Sequence, residues 1–257
     1  MIITSLQNPK IKQIVALRKA NKRKKQDLFV IDGLREIKVA LDYGFQLEDI
    51  FYCPELSQEK YDFSGKEIYE TSKDVFKKIA YADNPNAWLA TVRPKYHNLD
   101  DLKIKDKALI IVLESVEKPG NLGAIIRTAY AAGVDAVIIN ETQTDLYNPN
   151  VIKASSGHVF SSMVIIADKE KTLKYFLDKK INIYATSIKA AKDYTKINWQ
   201  LDSAIVFGSE AQGLSDFWLE RAKQNIIIPM QKGIDSLNVS VSAGIIVYEA
   251  QRQRNLD

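Results

Sequence analysis

The chain has 257 residues, 46% of them hydrophobic and 26% charged, with a net charge of +4. That balance describes a folded globular protein of one large or two modest domains and excludes a disordered or fibrous chain. A single cysteine, Cys53, excludes an intrachain disulfide, and with only His97 and His158 beside it a zinc site lacks ligands.

The charge is unevenly placed. Residues 1–26 hold eight cations (Lys10, Lys12, Arg18, Lys19, Lys22, Arg23, Lys24 and Lys25) and no Asp or Glu, an electrostatic footprint for phosphates. Within this stretch Ile11, Ile14 and Val15 give one apolar face to a helix that runs into the cations. A strand follows at Phe29 to Ile31, then a helix with Leu34, Ile37 and Leu41 on one side, and a second strand at Ile50 to Tyr52. Thr71, three residues before Asp74, reads as the cap of a helix extending to Tyr81. A strand over 87–92 closes a small mixed α/β domain, 1–96. Residues 97–106 are charged and weakly periodic and read as a linker before a second domain, 107–257.

From Ala108 the chain alternates strands and helices. Leu109 to Leu113 is a continuous apolar run, expected of a strand buried on both faces. A helix over 120–132 follows, with Asn121 placed to cap it, then a strand over 134–139. Helices are expected at 149–156, 172–179 and 216–222, and strands at 164–167, 183–186, 204–207 and 226–228. Asp235 and Ser236 are good caps for a last helix near Leu237, whose spacing of Leu237, Val241, Ile245 and Tyr248 predicts one buried face. Such alternation implies a parallel sheet covered on both sides, with ligands beyond the carboxyl ends of its strands. No apolar run approaches bilayer-spanning length and the start lacks a signal-peptide core, so the expected location is cytoplasmic.

Three segments put small and polar residues just after strands: Asn121-Leu-Gly-Ala-Ile-Ile-Arg-Thr, Phe207-Gly-Ser-Glu-Ala-Gln-Gly-Leu, and Ile228-Pro-Met through Asp235-Ser-Leu-Asn-Val-Ser-Val-Ser-Ala. The glycine fingerprints of dinucleotide and P-loop sites are absent, as is the serine-hydrolase elbow. In order and separation the three segments resemble the motifs of the SpoU/TrmH family of the SPOUT superfamily, the RNA ribose 2′-O-methyltransferases. More loosely, the basic N-terminal part is similar to that family's RNA-binding domain.

The resemblance implies a parallel-sheet α/β domain with a C-terminal trefoil knot, S-adenosylmethionine as cofactor, and a homodimer that completes each active site; from the shortage of His and Cys ligands no metal is expected. It implies catalytic roles for Asn121, Arg127, Glu210, Ser236 and Asn238. It places Thr186, Gly208, Gly213, Ile228, Met230 and Leu237 at the cofactor. Lys10, Lys12, Arg18, Lys22, Arg23, Lys24 and Lys25 would then grip RNA, expected to be ribosomal. The same chemistry on tRNA and a catalytically silent RNA-binding or ribosome-assembly protein are the alternatives. Arg127 is the family's candidate base, yet a guanidinium stays charged in water, which favours a role in holding a phosphate or a developing alkoxide.

Overall fold

The structure is a computed structural model that describes residues 2–63, 65–81, 86–104 and 106–254. It divides into two compact units, Met1–Lys95 with Asp145–Ser161, and Tyr96–Thr144 with Ser162–Asp257.

In the first unit β1 (Ile2–Ile3), α1 (Pro9–Ala16), α2 (Ala20–Gln26), β2 (Phe29–Asp32), α3 (Leu34–Asp42), β3 (Leu47–Tyr52), β4 (Ile68–Thr71), α4 (Lys73–Ile79) and β5 (Trp88–Val92) follow in order. Among the described residues the strands form a five-stranded mixed sheet, β1-β4-β3-β5-β2, antiparallel only where β5 meets β3 and β2. The expected single basic helix is two. Asn8 caps α1 by accepting from the Lys10 amide, and the helix stops so that fully buried Leu17 can enter the core. The cap of α4 is the backbone-extended Ser72 rather than Thr71, because Thr71 is buried as the last residue of β4.

The break between α1 and α2 explains Arg23. Carbonyls at the end of a helix lack intrahelical partners. The Arg23 guanidinium donates to Leu17 O at 2.8 Å and Arg18 O at 2.9 Å, and its Nε pairs with Asp145 Oδ2 at 2.6 Å. The side chain is only 6% exposed, so Arg23 is a structural cation and is withdrawn from the RNA-facing set. Removing one partner of a buried pair strands the other charge. Arg23→Ala is therefore expected to cost about 3 kcal/mol in urea denaturation, whereas exposed Lys24→Ala should cost less than about 0.5 kcal/mol.

Asp145 belongs to a stretch that the sequence reading assigns to the second domain. Instead Asp145–Ser161, including α6 (Pro149–Ala154), packs into the first unit, where Tyr147 stacks on Phe29 at 4.3 Å and Phe160 meets Phe45 at 4.9 Å. The linker expectation is corrected as well. Leu102 is buried in the second unit's core with Leu99 and Ile104 packed against it, and His97 bridges Ile165. These apolar residues are too few to show a period but enough to tie the strip to a core.

The second unit continues with β6 (Leu109–Glu114), α5 (Pro119–Ala131), β7 (Ala136–Asn140), β8 (Val164–Ile166), α7 (Lys169–Asp178), β9 (Asn182–Thr186), β10 (Lys192–Asp193), β11 (Ser203–Phe207), α8 (Asp216–Arg221), β12 (Gln224–Ile227) and α9 (Val239–Arg254). Its described strands make one seven-stranded parallel sheet, β10-β12-β9-β11-β6-β7-β8. Ile110, Val112, Ile138, Ile183 and Val206 meet Phe176 of α7 and Trp218 of α8 on one face. Alternation turns Leu109, Ile111 and Leu113 to the other face, the side left for α5 and α9, which pack on each other.

The last helix buries a different stripe from the expected one. Val239, Ala243, Ile246, Val247 and Ala250 face inward, while Val241 is 50% and Tyr248 48% exposed. Its cap is Asn238, whose Oδ1 accepts from the Ser240 amide at 2.9 Å, so Asp235 and Ser236 stay in the exposed loop. Among the described residues no helix is long and apolar enough to cross a membrane.

Candidate active site

All the loops that matter leave the carboxyl ends of parallel strands, where connections bend away and expose backbone groups. In the second unit the loops after β9, β11 and β12 enclose a cavity of about 760 Å³. Its wall includes every residue expected at a cofactor: Thr186, Gly208, Gly213, Ile228, Met230 and Leu237. Glu210, Ser236 and Asn238 line it too.

The loop after β11 is a tight return. Ser209 and Gly213 exchange backbone hydrogen bonds at 3.1 and 3.0 Å, and Ser209 Oγ accepts from the Gln212 amide. A Cβ on Gly208 would lie 2.1 Å from the Gly213 carbonyl carbon and 2.3 Å from the Leu214 amide nitrogen. Only glycine lets the two backbone segments close on each other. The far end of the loop is held by a residue absent from the sequence expectations. Glu114, 4% exposed at the end of β6, accepts from the Ser215 amide at 2.8 Å and from Ser215 Oγ at 2.7 Å. A carboxylate closing an otherwise apolar strand is its one sequence signal.

Three motifs that are far apart in sequence meet in a hydrogen-bonded chain. The Asn121 amide donates to Glu210 Oε1, and Asn238 Nδ2 donates to Asn121 Oδ1 at 3.1 Å. Asn238 Oδ1 in turn accepts from Ser240 Oγ at 2.6 Å. Asn121 therefore does not cap α5. Lys118 holds that position with Pro119 after it, and the Asn121 side chain is left for the site. On β9, Thr186 Oγ1 donates to Val206 O at 3.0 Å and so fixes its own face toward the cavity.

Arg127 stands apart. It is exposed on α5, does not line the cavity, and has no hydrogen bond or ion pair among the described residues. Six residues past Asn121, it lies about 9 Å further along the helix and about a third of a turn round.

The RNA-facing candidates of the first unit divide as well. Lys12, Lys22, Lys24 and Lys25 are exposed. Lys10 is tied to Asp49 at 2.5 Å and lies over the Tyr69 ring. Burial lowers its affinity for a proton, but the Asp49 hydrogen bond and charge more than reverse this, so its pKa is raised. Arg18 donates to Lys78 O and Ala80 O and stacks on Tyr81. Both are therefore partly committed within their own unit. Among the described residues no cluster of His, Cys, Asp or Glu has the makings of a metal site.

Residues 108–248, more than half of the chain, match the model of the SpoU rRNA Methylase family. The chain belongs to the SpoU rRNA methylase family. Residues 8–90 match the MRM3-like substrate binding domain. A solved RNA 2′-O ribose methyltransferase is 38% identical to this family member over 99% of both chains, with a TM-score of 0.87. The AdoMet-bound rRNA methyltransferase of Sinorhizobium meliloti is 30% identical over 100% of this chain and 99% of its own, with a TM-score of 0.91. The Bacillus subtilis 23S rRNA (guanosine(2553)-2′-O)-methyltransferase RlmP is 26% identical over 96% of this chain and 97% of its own.

Proposed function

We propose that this SpoU family member is an S-adenosylmethionine-dependent methyltransferase acting on a ribose 2′-hydroxyl of ribosomal RNA, in the cytoplasm. The observation that carries the reading is the hydrogen-bonded chain that joins three motifs, with Asn121 tied to Glu210 and Asn238 of the cavity wall.

The cavity fits the cofactor in size and in chemistry. Small-ligand pockets span roughly 300–1,000 Å³, and this one combines apolar walls at Leu219, Ile226 and Leu237 with carboxylates at Glu210, Asp216 and Asp235. The apolar side chains suit an adenine ring and the carboxylates suit a sulfonium and an ammonium. When bound, S-adenosylmethionine supplies an electrophilic methyl group to an oxygen nucleophile. The work of the chain is positional. Gly208 and Ile228 present backbone, and Thr186 orients the adenosine side. Glu210 fixes Asn121, which with Asn238 and Ser236 orients the ribose at the rim. The resemblance also implies that the C-terminal part of the second domain is threaded as a trefoil knot.

A homodimer completes the reading. Val241 and Tyr248 on α9 and Tyr130 on α5 leave apolar surface exposed on two helices that pack together, beside Arg127. We place this face against the same face of a second copy, where Arg127 reaches the partner's cavity and holds a phosphate or the developing alkoxide. Tyr248→Glu should then give a folded monomer by sedimentation.

The direct test is calorimetry with S-adenosylmethionine together with mapping of 2′-O-methyl sites in rRNA from cells with and without the protein. The expected result is cofactor binding and loss of one modified ribose. A protein that binds RNA, ignores the cofactor and leaves the methylation map unchanged would be a silent assembly factor.

A further inference from the structure

We propose that Lys118 and Lys189 hold the phosphates on either side of the target ribose at the rim of the cavity, so that the second unit carries its own RNA contacts. The inference rests on the methyltransferase reading of that cavity and goes beyond it, because neither lysine belongs to the three motifs or to the basic N-terminal run.

Both lysines line the cavity wall and are exposed. Neither ammonium has a hydrogen bond or an ion pair among the described residues; most lysines of the chain share that state, and what singles these two out is their place on the cavity wall. Carboxylates are available on the same wall at Glu210, Asp216 and Asp235, and none is within salt-bridge distance of either lysine. Local charge neutralisation therefore does not account for the pair.

The backbone beneath each lysine is fixed while its head is free. Lys118 is the N-terminal cap residue of α5, with Pro119 setting the helix entry and its carbonyl accepting from the Leu122 amide at 3.1 Å. Lys189 sits in a turn after β9, its amide bound to Ser187 Oγ at 3.2 Å and the following amide to Ser187 O. The connections after β6 and β9 thus bring two exposed cations to one cavity wall.

The substrate supplies the reason. A ribose inside an RNA strand carries a phosphate on its 3′ side and another on its 5′ side. Bringing a 2′-hydroxyl to the cavity brings both negative charges to the rim. Ammonium groups there neutralise them and release counterions, fixing register without reading the base. Asn121 and Asn238 are neutral and cannot do this. The same ammoniums would also suit the carboxylate of the cofactor, so the test must separate an RNA phosphate from that carboxylate.

Lys118→Ala, Lys189→Ala and the double variant are compared with wild type. The measurements are methylation of an rRNA fragment across a salt series and calorimetry with S-adenosylmethionine, with melting temperature as the check on folding. Each single variant is expected to raise KM for RNA by about 10-fold and to flatten the slope of log affinity against log salt by about 1, with kcat changed less than about twofold. The cofactor Kd should not move. Unchanged KM and slope in an active, folded double variant would overturn the proposal. A weakened cofactor Kd with an unchanged salt slope would overturn it too, assigning the lysines to the methionine carboxylate. If wild type itself neither binds the cofactor nor methylates RNA, the reading of the cavity fails, and the lysine assignment falls with it.

Discussion

Gly208→Val is expected to abolish cofactor binding and methyl transfer while leaving both cores folded. The first side-chain carbon would overlap the Gly213 carbonyl carbon at 2.1 Å, and the atoms it meets are backbone, which cannot swing aside as a side-chain tip does. The return loop must open, carrying Glu210 away from Asn121 and the Gly213 backbone away from the cavity. The expected loss of cofactor affinity is at least about 100-fold, ~2.7 kcal/mol. Stability should fall far less. The loop lies outside the packed cluster of Phe176 and Trp218, and Glu114 still anchors Ser215 beyond it. Gly213 supplies the contrast. Its φ of +71° disfavours a side chain, but a Cβ there meets nothing within 4 Å. Gly213→Asn, which tolerates that φ, should keep affinity within about tenfold of wild type, a change of ~1.4 kcal/mol or less. Calorimetry on the two variants decides the matter, and equal losses in both would mean that closure at Gly208 is not what builds the site.

The contrast between these glycines also marks what the residues alone could tell. The order of elements in the second unit is written in continuous apolar runs such as Leu109–Leu113, and the sheet follows that order. The two glycines of the second motif look alike in the sequence. Which of them is sterically required depends on where the loop returns, and that is a tertiary fact. Arg23 makes the same point among the cations. It stands between Lys22 and Lys24 with no local mark, and its fate is set by Asp145, 122 residues away. The last helix misled for a different reason. Its buried stripe contains Ala243 and Ala250, whose small side chains weaken the periodic signal, while Val241 and Tyr248 supply a stronger one on the outside. That outward apolar face is intelligible if a second chain covers it, since large exposed apolar patches mark interaction surfaces.

Mixing two inactive proteins should restore activity. Arg127→Ala is expected to lose about 10²–10³-fold in kcat, the scale seen when one stabilising donor at a developing charge is removed. Its fold and cofactor Kd should be unaffected, because Arg127 is exposed and lies outside the cavity wall. Gly208→Val is inactive for the complementary reason, a disrupted cofactor cavity in a chain whose Arg127 is intact. If Arg127 serves the partner subunit's cavity, a mixed dimer of the two variants holds one intact cavity faced by one intact arginine. Random exchange makes half of all dimers mixed, each with one working site of two, so activity should recover to about a quarter of wild type. If Arg127 serves its own chain, no combination contains a working site and the mixture stays as inactive as its components. The converse mixture adds an independent reading. Wild type combined with a chain carrying both substitutions has no competent site in its mixed dimers if the arginine crosses the interface, and one if it does not. The geometry behind the expected answer is the helix itself. Arg127 is exposed and does not line the cavity of its own chain, and on the same helix, about one turn on, Tyr130 is exposed, as are Val241 and Tyr248 of the helix packed against it.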